Sequence, residues 1–273
     1  MFEKHAVTAM VLAVAAAGPL AAQAGPSVIA VTTNEYAFAD APDTVPAGLV
    51  TFEMKNAGRE PHHVWVARLD DGKTVADLVA ALSTQGPPPP WFVSVGGPQP
   101  MAPGVVSSAT LSLAPGNYVY LCFVPGPDGA PHVAKGMMRP FTVAGEVAPG
   151  SPSLPEADVT VRLVDYGFEL SEPLTAGRRT LRFVNPSPQF HEVILMKLEP
   201  GRTAAEAVAW METMDGPPPM TLAGGVTGID PGVEAQVTLD LAPGEYGLVC
   251  FLPDRGDGKP HVMHGMITQI TVR

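Results

Sequence analysis

One unit is written twice in this chain, at an offset that stays between 128 and 130 residues. Tyr36-Ala37-Phe38 matches Tyr166-Gly167-Phe168, Asn56 matches Asn185, and His62 matches His191. Ala114-Pro115-Gly116 matches Ala242-Pro243-Gly244, Cys122-Phe123 matches Cys250-Phe251, and Pro131-His132-Val133 matches Pro260-His261-Val262. An offset this steady is the mark of a duplication. The unit is too long for a solenoid repeat, which runs about 20–50 residues. It suits an independent domain of ~120 residues with its own core. The 31 prolines and 28 glycines in 273 residues punctuate many short segments and leave little room for long helices.

Within each copy, short alternating or β-branched runs are separated by turn signals, the pattern of an all-β sandwich. The runs are Ser27–Thr33, Leu49–Met54, His63–Leu69, Val106–Leu113, Tyr118–Val124 and Met138–Val143. One short helix per copy is expected, at Thr74–Leu82 and Thr203–Met211. Each opens on Thr with an acidic residue three positions later, Asp77 or Glu206, which approximates a capping box. A proline run, Pro87–Pro90 or Pro217–Pro219, follows each helix and reads as a rigid loop.

The N-terminus has the pattern of an export leader. A short basic region precedes an apolar stretch from Ala6 to about Ala22, and Ala22-Gln23-Ala24 fits the small-residue cleavage pattern. The expected organisation is a signal peptide over 1–24, domains over 25–145 and 157–273, and a linker over 146–156. A periplasmic or secreted location follows from the leader. No later segment is apolar enough to span a membrane. The net charge of −11 disfavours nucleic acid and anionic lipid, and would favour a basic partner protein.

The histidines carry the functional signal. Of seven, His5 lies in the leader, and the other six fall in two short motifs per copy. Both cysteines open the second motif: Cys122, nine residues, His132, four residues, Met137; then Cys250, ten residues, His261, four residues, Met266. The Cys is expected in a strand, with a Pro/Gly/Asp-rich loop leading to the His. His62 or His191 would arrive from upstream at the same end of the sandwich. Two His, one Cys and a weak axial Met form the donor set of a blue-copper site. Zinc rarely uses Met, and calcium and magnesium want oxygen donors.

The segment Asn56-Ala57-Gly58-Arg59-Glu60-Pro61-His62-His63-Val64 resembles the first-ligand motif of the cupredoxin family, and Cys-x(n)-His-x4-Met resembles its second motif. The resemblance covers nearly all of the chain beyond the leader. It implies two tandem Greek-key β-sandwich domains with one copper each. His62, Cys122, His132 and Met137 would hold one ion, and His191, Cys250, His261 and Met266 the other. The Cys–His loops are longer than in small plastocyanin-like carriers. The second site adds Met263 and His264 where the first has Ala134 and Lys135.

Several readings compete with two copper sites. A Cys122–Cys250 disulfide would need Cα atoms within about 7 Å. A metal-free cupredoxin-like binding module would keep the fold but need no ligands. Two-domain nitrite reductases and small laccases share the arrangement. They bind further copper through histidines flanking the Cys and through His-x-His pairs, and this chain has neither, so the expectation is that it is not an enzyme. The remaining functions are a one-electron carrier with a redox partner protein, or copper storage and delivery.

Overall fold

Alternation in the expected runs places one set of side chains inward. In Val106–Leu113, Ala109, Leu111 and Leu113 are buried; in Val159–Val164, Val159, Val161 and Leu163 are. The computed structural model describes residues 25–83, 88–147 and 153–273. The expected leader, Pro87 of the first proline run, and residues 148–152 of the expected linker lie outside the described residues.

The first copy forms β1 (Ser27–Asn34), β2 (Ala37–Ala39), β3 (Thr44–Pro46), β4 (Gly48–Asn56), β5 (Trp65–Leu69), β6 (Phe92–Gly96), β7 (Val106–Leu113), β8 (Gly116–Leu121) and β9 (Met138–Ala144). The second forms β10 (Val159–Val164), β11 (Gly167–Leu170), β12 (Gly177–Val184), β13 (His191–Leu198), β14 (Met220–Ile229), β15 (Glu234–Leu241), β16 (Gly244–Val249) and β17 (Ile267–Val272). The helices are α1 (Val75–Leu82) and α2 (Ala204–Thr213). Thr74 and Thr203 are their N-caps, and both capping boxes close through Asp77 and Glu206. The fold is all-β as expected, two sheets of strands with one short helix in each copy.

The two copies are not separate packing units. One sheet has the order β11-β10-β12-β15-β7-β4-β1-β2, and the other β17-β16-β13-β14-β6-β5-β8-β9-β3. Each sheet therefore runs through both copies. The seams are short: Ala235↔Leu111 and Gln236↔Thr110 join β15 to β7, and Ile229↔Val95 joins β14 to β6. Each seam pairs strands that would otherwise be sheet edges with unpaired backbone groups. The expectation that each copy has its own core is corrected accordingly. One apolar cluster holds Phe52 and Leu111 of the first copy together with Phe183 and Val237 of the second. A smaller cluster under α2 contains Met196, Ala204 and Ala207.

The cysteines also differ from expectation. β8 ends at Leu121 and β16 at Val249, so each Cys lies just past its strand. There the chain leaves the ladder: the Cys122 amide donates to the Met137 carbonyl, and the Cys122 carbonyl accepts from Val133.

Candidate metal centres

The first His of each copy is delivered by an asparagine-centred turn. Buried Asn56 donates through Nδ2 to the carbonyls of Glu60 and Met101, both at 2.8 Å, and its Oδ1 accepts from the Gly58 amide. Asn185 does the same with Gln189, Ile229 and Ser187. These six hydrogen bonds pair polar groups that would be costly to bury unpaired, and the chain is set to enter the sandwich at His62 or His191.

The second motif is held together by its own backbone. The His132 amide donates to Val124, the Met137 amide to His132, and the Cys122 amide to Met137. His261, Met266 and Cys250 repeat this pattern with Leu252, His261 and Met266. The bridges Pro125↔Pro131 and Pro253↔Pro260 close each loop, so the extra residue of the second loop is absorbed beyond the bridge. A short 3-10 turn opens at each His, and Gly136 and Gly265 end it with φ of 94° and 96°. That left-handed backbone returns the chain to the last strand with the Met beside it.

All eight expected residues are fully buried. The structure brings His62, Cys122 and His132 together, and His191, Cys250 and His261 likewise. In the first group the two Nδ1 atoms are 3.1 Å apart, and Cys122 Sγ lies 3.5 Å from His132 Nδ1 and 4.0 Å from His62 Nδ1. In the second the Nδ1 atoms are again 3.1 Å apart, with Cys250 Sγ 3.4 Å from His261 Nδ1. A point about 2.1 Å from all three donors exists within the first triangle, inside the range of about 2.0–2.3 Å for metal bonds to imidazole and thiolate. The donor set thus fits a metal ion in size and chemistry. Met137 and Met266 are tied by backbone to both the Cys and the His of their groups.

The outward nitrogens explain why the lone pairs face inward. His132 Nε2 donates to Glu60 Oε2 at 2.8 Å, His191 Nε2 to Asp165 Oδ1 at 2.6 Å, and His261 Nε2 to Gln189 Oε1 at 3.1 Å. These acceptors assign the proton to Nε2 and leave Nδ1 unprotonated, the arrangement that orients metal-ligating imidazoles. His62 Nε2 differs: it has no hydrogen-bond partner, and Glu35 Oε1 stands 3.8 Å away, accepting instead from the Arg59 and Glu60 amides. None of Glu35, Glu60, Asp165 and Gln189 was singled out from the sequence. The signal was present in the repeat, because a polar residue precedes both Tyr36 and Tyr166, and an acceptor stands two places before His62 and His191.

Burial sets the electrostatics. It pushes the Cys122 thiol up to about 12 and the Cys250 thiol well above its ordinary value. Against that, the amides of His63 and Val124 face the first sulfur, and those of Glu192 and Leu252 the second. Burial lowers His62 and His191, and with the neighbouring His191 charge brings His261 down to about 4. Two inward Nδ1 atoms and a thiol that favours its proton form a site that a cation would complete. His63 is a satisfied neighbour: its Nε2 accepts the Phe123 amide at 2.8 Å, and burial holds it near 3. Glu192 takes the same place in the second copy, accepting from the Phe251 amide, and burial raises it to about 7. His264 lies outside the second group, bonded to Asp257 and stacked on Tyr166. Cys122 and Cys250 are free, each within its own group, so the disulfide alternative does not hold.

No family model matches the chain, and no curated protein matches its sequence. Among solved structures, auracyanin from Roseiflexus castenholzii is 28% identical, with 44% of this chain matched to 100% of that one at a TM-score of 0.32. Auracyanin A, a blue copper protein of Chloroflexus aurantiacus, is 22% identical over 44% of this chain and 100% of that one, TM-score 0.32. A copper-containing nitrite reductase from Thermus scotoductus is 12% identical over 91% of this chain and 62% of that one, TM-score 0.27. The chain is thus similar to auracyanins over 44% of its length and to a nitrite reductase over 91% of it. One expectation about this chain is corrected by the matches. It was read as no enzyme, yet the structures matching about nine-tenths of it include that reductase and multicopper oxidases, which are enzymes. Ligand spacing along one chain does not limit a metal held between surfaces, so the exclusion is withdrawn.

Proposed function

We propose that each domain holds one copper ion and that the protein moves single electrons. His62, Cys122, His132 and Met137 are the ligands in the first domain, and His191, Cys250, His261 and Met266 those in the second. The observation that carries the reading is the pair of buried triads, each with two inward Nδ1 atoms and one Sγ. Copper in such a set supplies a one-electron couple whose two states accept one geometry. The chain's own residues do the rest. Full burial excludes water, the Nε2 acceptors hold the imidazoles in one tautomer, and two amides at each sulfur favour the thiolate. The partner is a redox protein, and the charge of −11 favours a basic face on it. Export to the periplasm or beyond rests on the leader pattern in residues 1–24. Among the described residues no helix is long and apolar enough to cross a membrane.

Native mass spectrometry after copper loading, with a visible spectrum and a potential, tests this. Two bound coppers with thiolate-to-copper absorption and a reversible one-electron couple are expected. Zinc alone, or no metal, overturns the reading. Copper delivery is the second reading, favoured by exposed Met263 and His264 close in the chain to His261. Rapid loss of copper to a soft acceptor chelator, without a reversible couple, would select it.

A further inference from the structure

Trp65 stands where the two halves meet, and the repeat has no counterpart, because Ile194 occupies the matching position. It opens β5 opposite Leu121, the residue before Cys122. Its ring meets Phe123, the residue after Cys122, edge-on with centroids 5.1 Å apart. The other side of the indole faces the second domain. Nε1–H donates to Ser94 Oγ, and the Ser94 hydroxyl donates to the Gly228 carbonyl in β14. A methyl group at Gly228 would fall 2.4 Å from Trp65 Cζ2 and 3.2 Å from Leu252 Cδ1. The indole therefore fills the space a side chain would take, and Leu252 borders the same notch. Leu252 belongs to the second centre: its amide faces Cys250 Sγ and its carbonyl accepts from the His261 amide. Trp65, Leu252 and both thiols are buried.

From this juxtaposition we infer that Trp65 is the electronic bridge between the two copper centres, so that the domains exchange an electron within one molecule. The inference rests on the copper reading above. Electron tunnelling weakens steeply across gaps and is favoured by bonded and packed contacts through polarisable rings. The route runs through bonds and ring contact from Cys122 and Phe123 to Trp65, crosses one through-space step at the Gly228 notch that Trp65 and Leu252 both border, and continues by bonds from Leu252 to Cys250. The exchange is balanced: copper(I) in one domain becomes copper(II) as copper(II) in the other becomes copper(I), with no bond made or broken.

Copper content and the absorption of each site, identified with Cys122→Ala and Cys250→Ala, are measured first. A protein without copper overturns the ligand assignment itself. With both sites loaded, pulse reduction should be followed by a redistribution phase whose rate is independent of protein concentration. Trp65→Leu should slow that phase by an order of magnitude or more while both absorption bands and both potentials stay unchanged, and Trp65→Phe should slow it less. A second measurement leaves Trp65 in place. In a Trp91→Phe/Trp210→Phe background, copper in either domain alone should quench Trp65 fluorescence. The bridge is overturned by an unchanged rate in Trp65→Leu with both bands intact, by the absence of the concentration-independent phase, or by quenching from one site only.

Discussion

His132 and His261 show how one residue's outward contact sets its inward chemistry. Each imidazole has its Nε2 proton held by a side chain two residues before the other histidine of its group, Glu60 or Gln189. Removing such an outer partner typically weakens metal binding by about 10–100-fold. Glu60→Ala is therefore expected to lower copper affinity at the first site by about that factor, leaving the second unchanged, in a chelator competition titration. Glu60→Gln should recover most of the loss, since the second domain already uses Gln at this place. The thiols define a sharper expectation. Cys122→Ala should abolish the thiolate-to-copper band of the first site and spare the second, and Cys250→Ala the reverse, read by visible absorption. Loss of both bands in either variant would mean one shared ion. Met137 and Met266 should matter less, because an axial thioether tunes potential more than it retains the metal.

The element that organises each centre is the loop from Cys to Met. Backbone hydrogen bonds among Cys, His and Met close it, and the left-handed glycine after the 3-10 turn lets it rejoin the last strand. A methyl group at Gly265 meets no neighbour within 4 Å, so the cost of Gly265→Ala is conformational. It is expected to destabilise the fold by about 1–2 kcal/mol, measured by urea unfolding, and to shift the absorption of the second site but not the first. The helices are simpler. The Thr-x-x-acid pattern was legible in the sequence because a capping box needs only local contacts, and the structure moves each helix start by one residue, onto the position after the Thr.

At the scale of the whole molecule, the two domains share both sheets, and polar groups are buried along the seam. Asp230 accepts from the Ser94 amide across the domains, and burial raises its carboxyl above the ordinary range. The folded protein then keeps this proton to higher pH than the unfolded chain does. The stability contributed is present below the unfolded carboxyl value and is lost as pH rises through the folded one. Asp230→Asn keeps an acceptor for Ser94 and removes the titration. Its thermal midpoint relative to the native chain is expected to be higher at neutral pH than near pH 4. An equal difference at both would show that Asp230 titrates normally. Gln99 crosses the same seam to Glu192, beside the second centre.

The sequence by itself determined the duplication, the all-β class, both helix caps and the His, Cys and Met motifs that the two groups draw on. These are legible because they depend on spacing, local capping and the chemistry of His, Cys and Met. The structure gathers His62, Cys122 and His132 into one group and His191, Cys250 and His261 into another. Only the tertiary structure decided that the halves share two sheets and one core, that Glu60, Asp165 and Gln189 orient the imidazoles, and that Trp65 lies in the Gly228 notch. The reason is physical: edge pairing, second-layer hydrogen bonds and close approach to a glycine join residues up to 163 positions apart in the chain, and no local pattern encodes which distant surface will meet them.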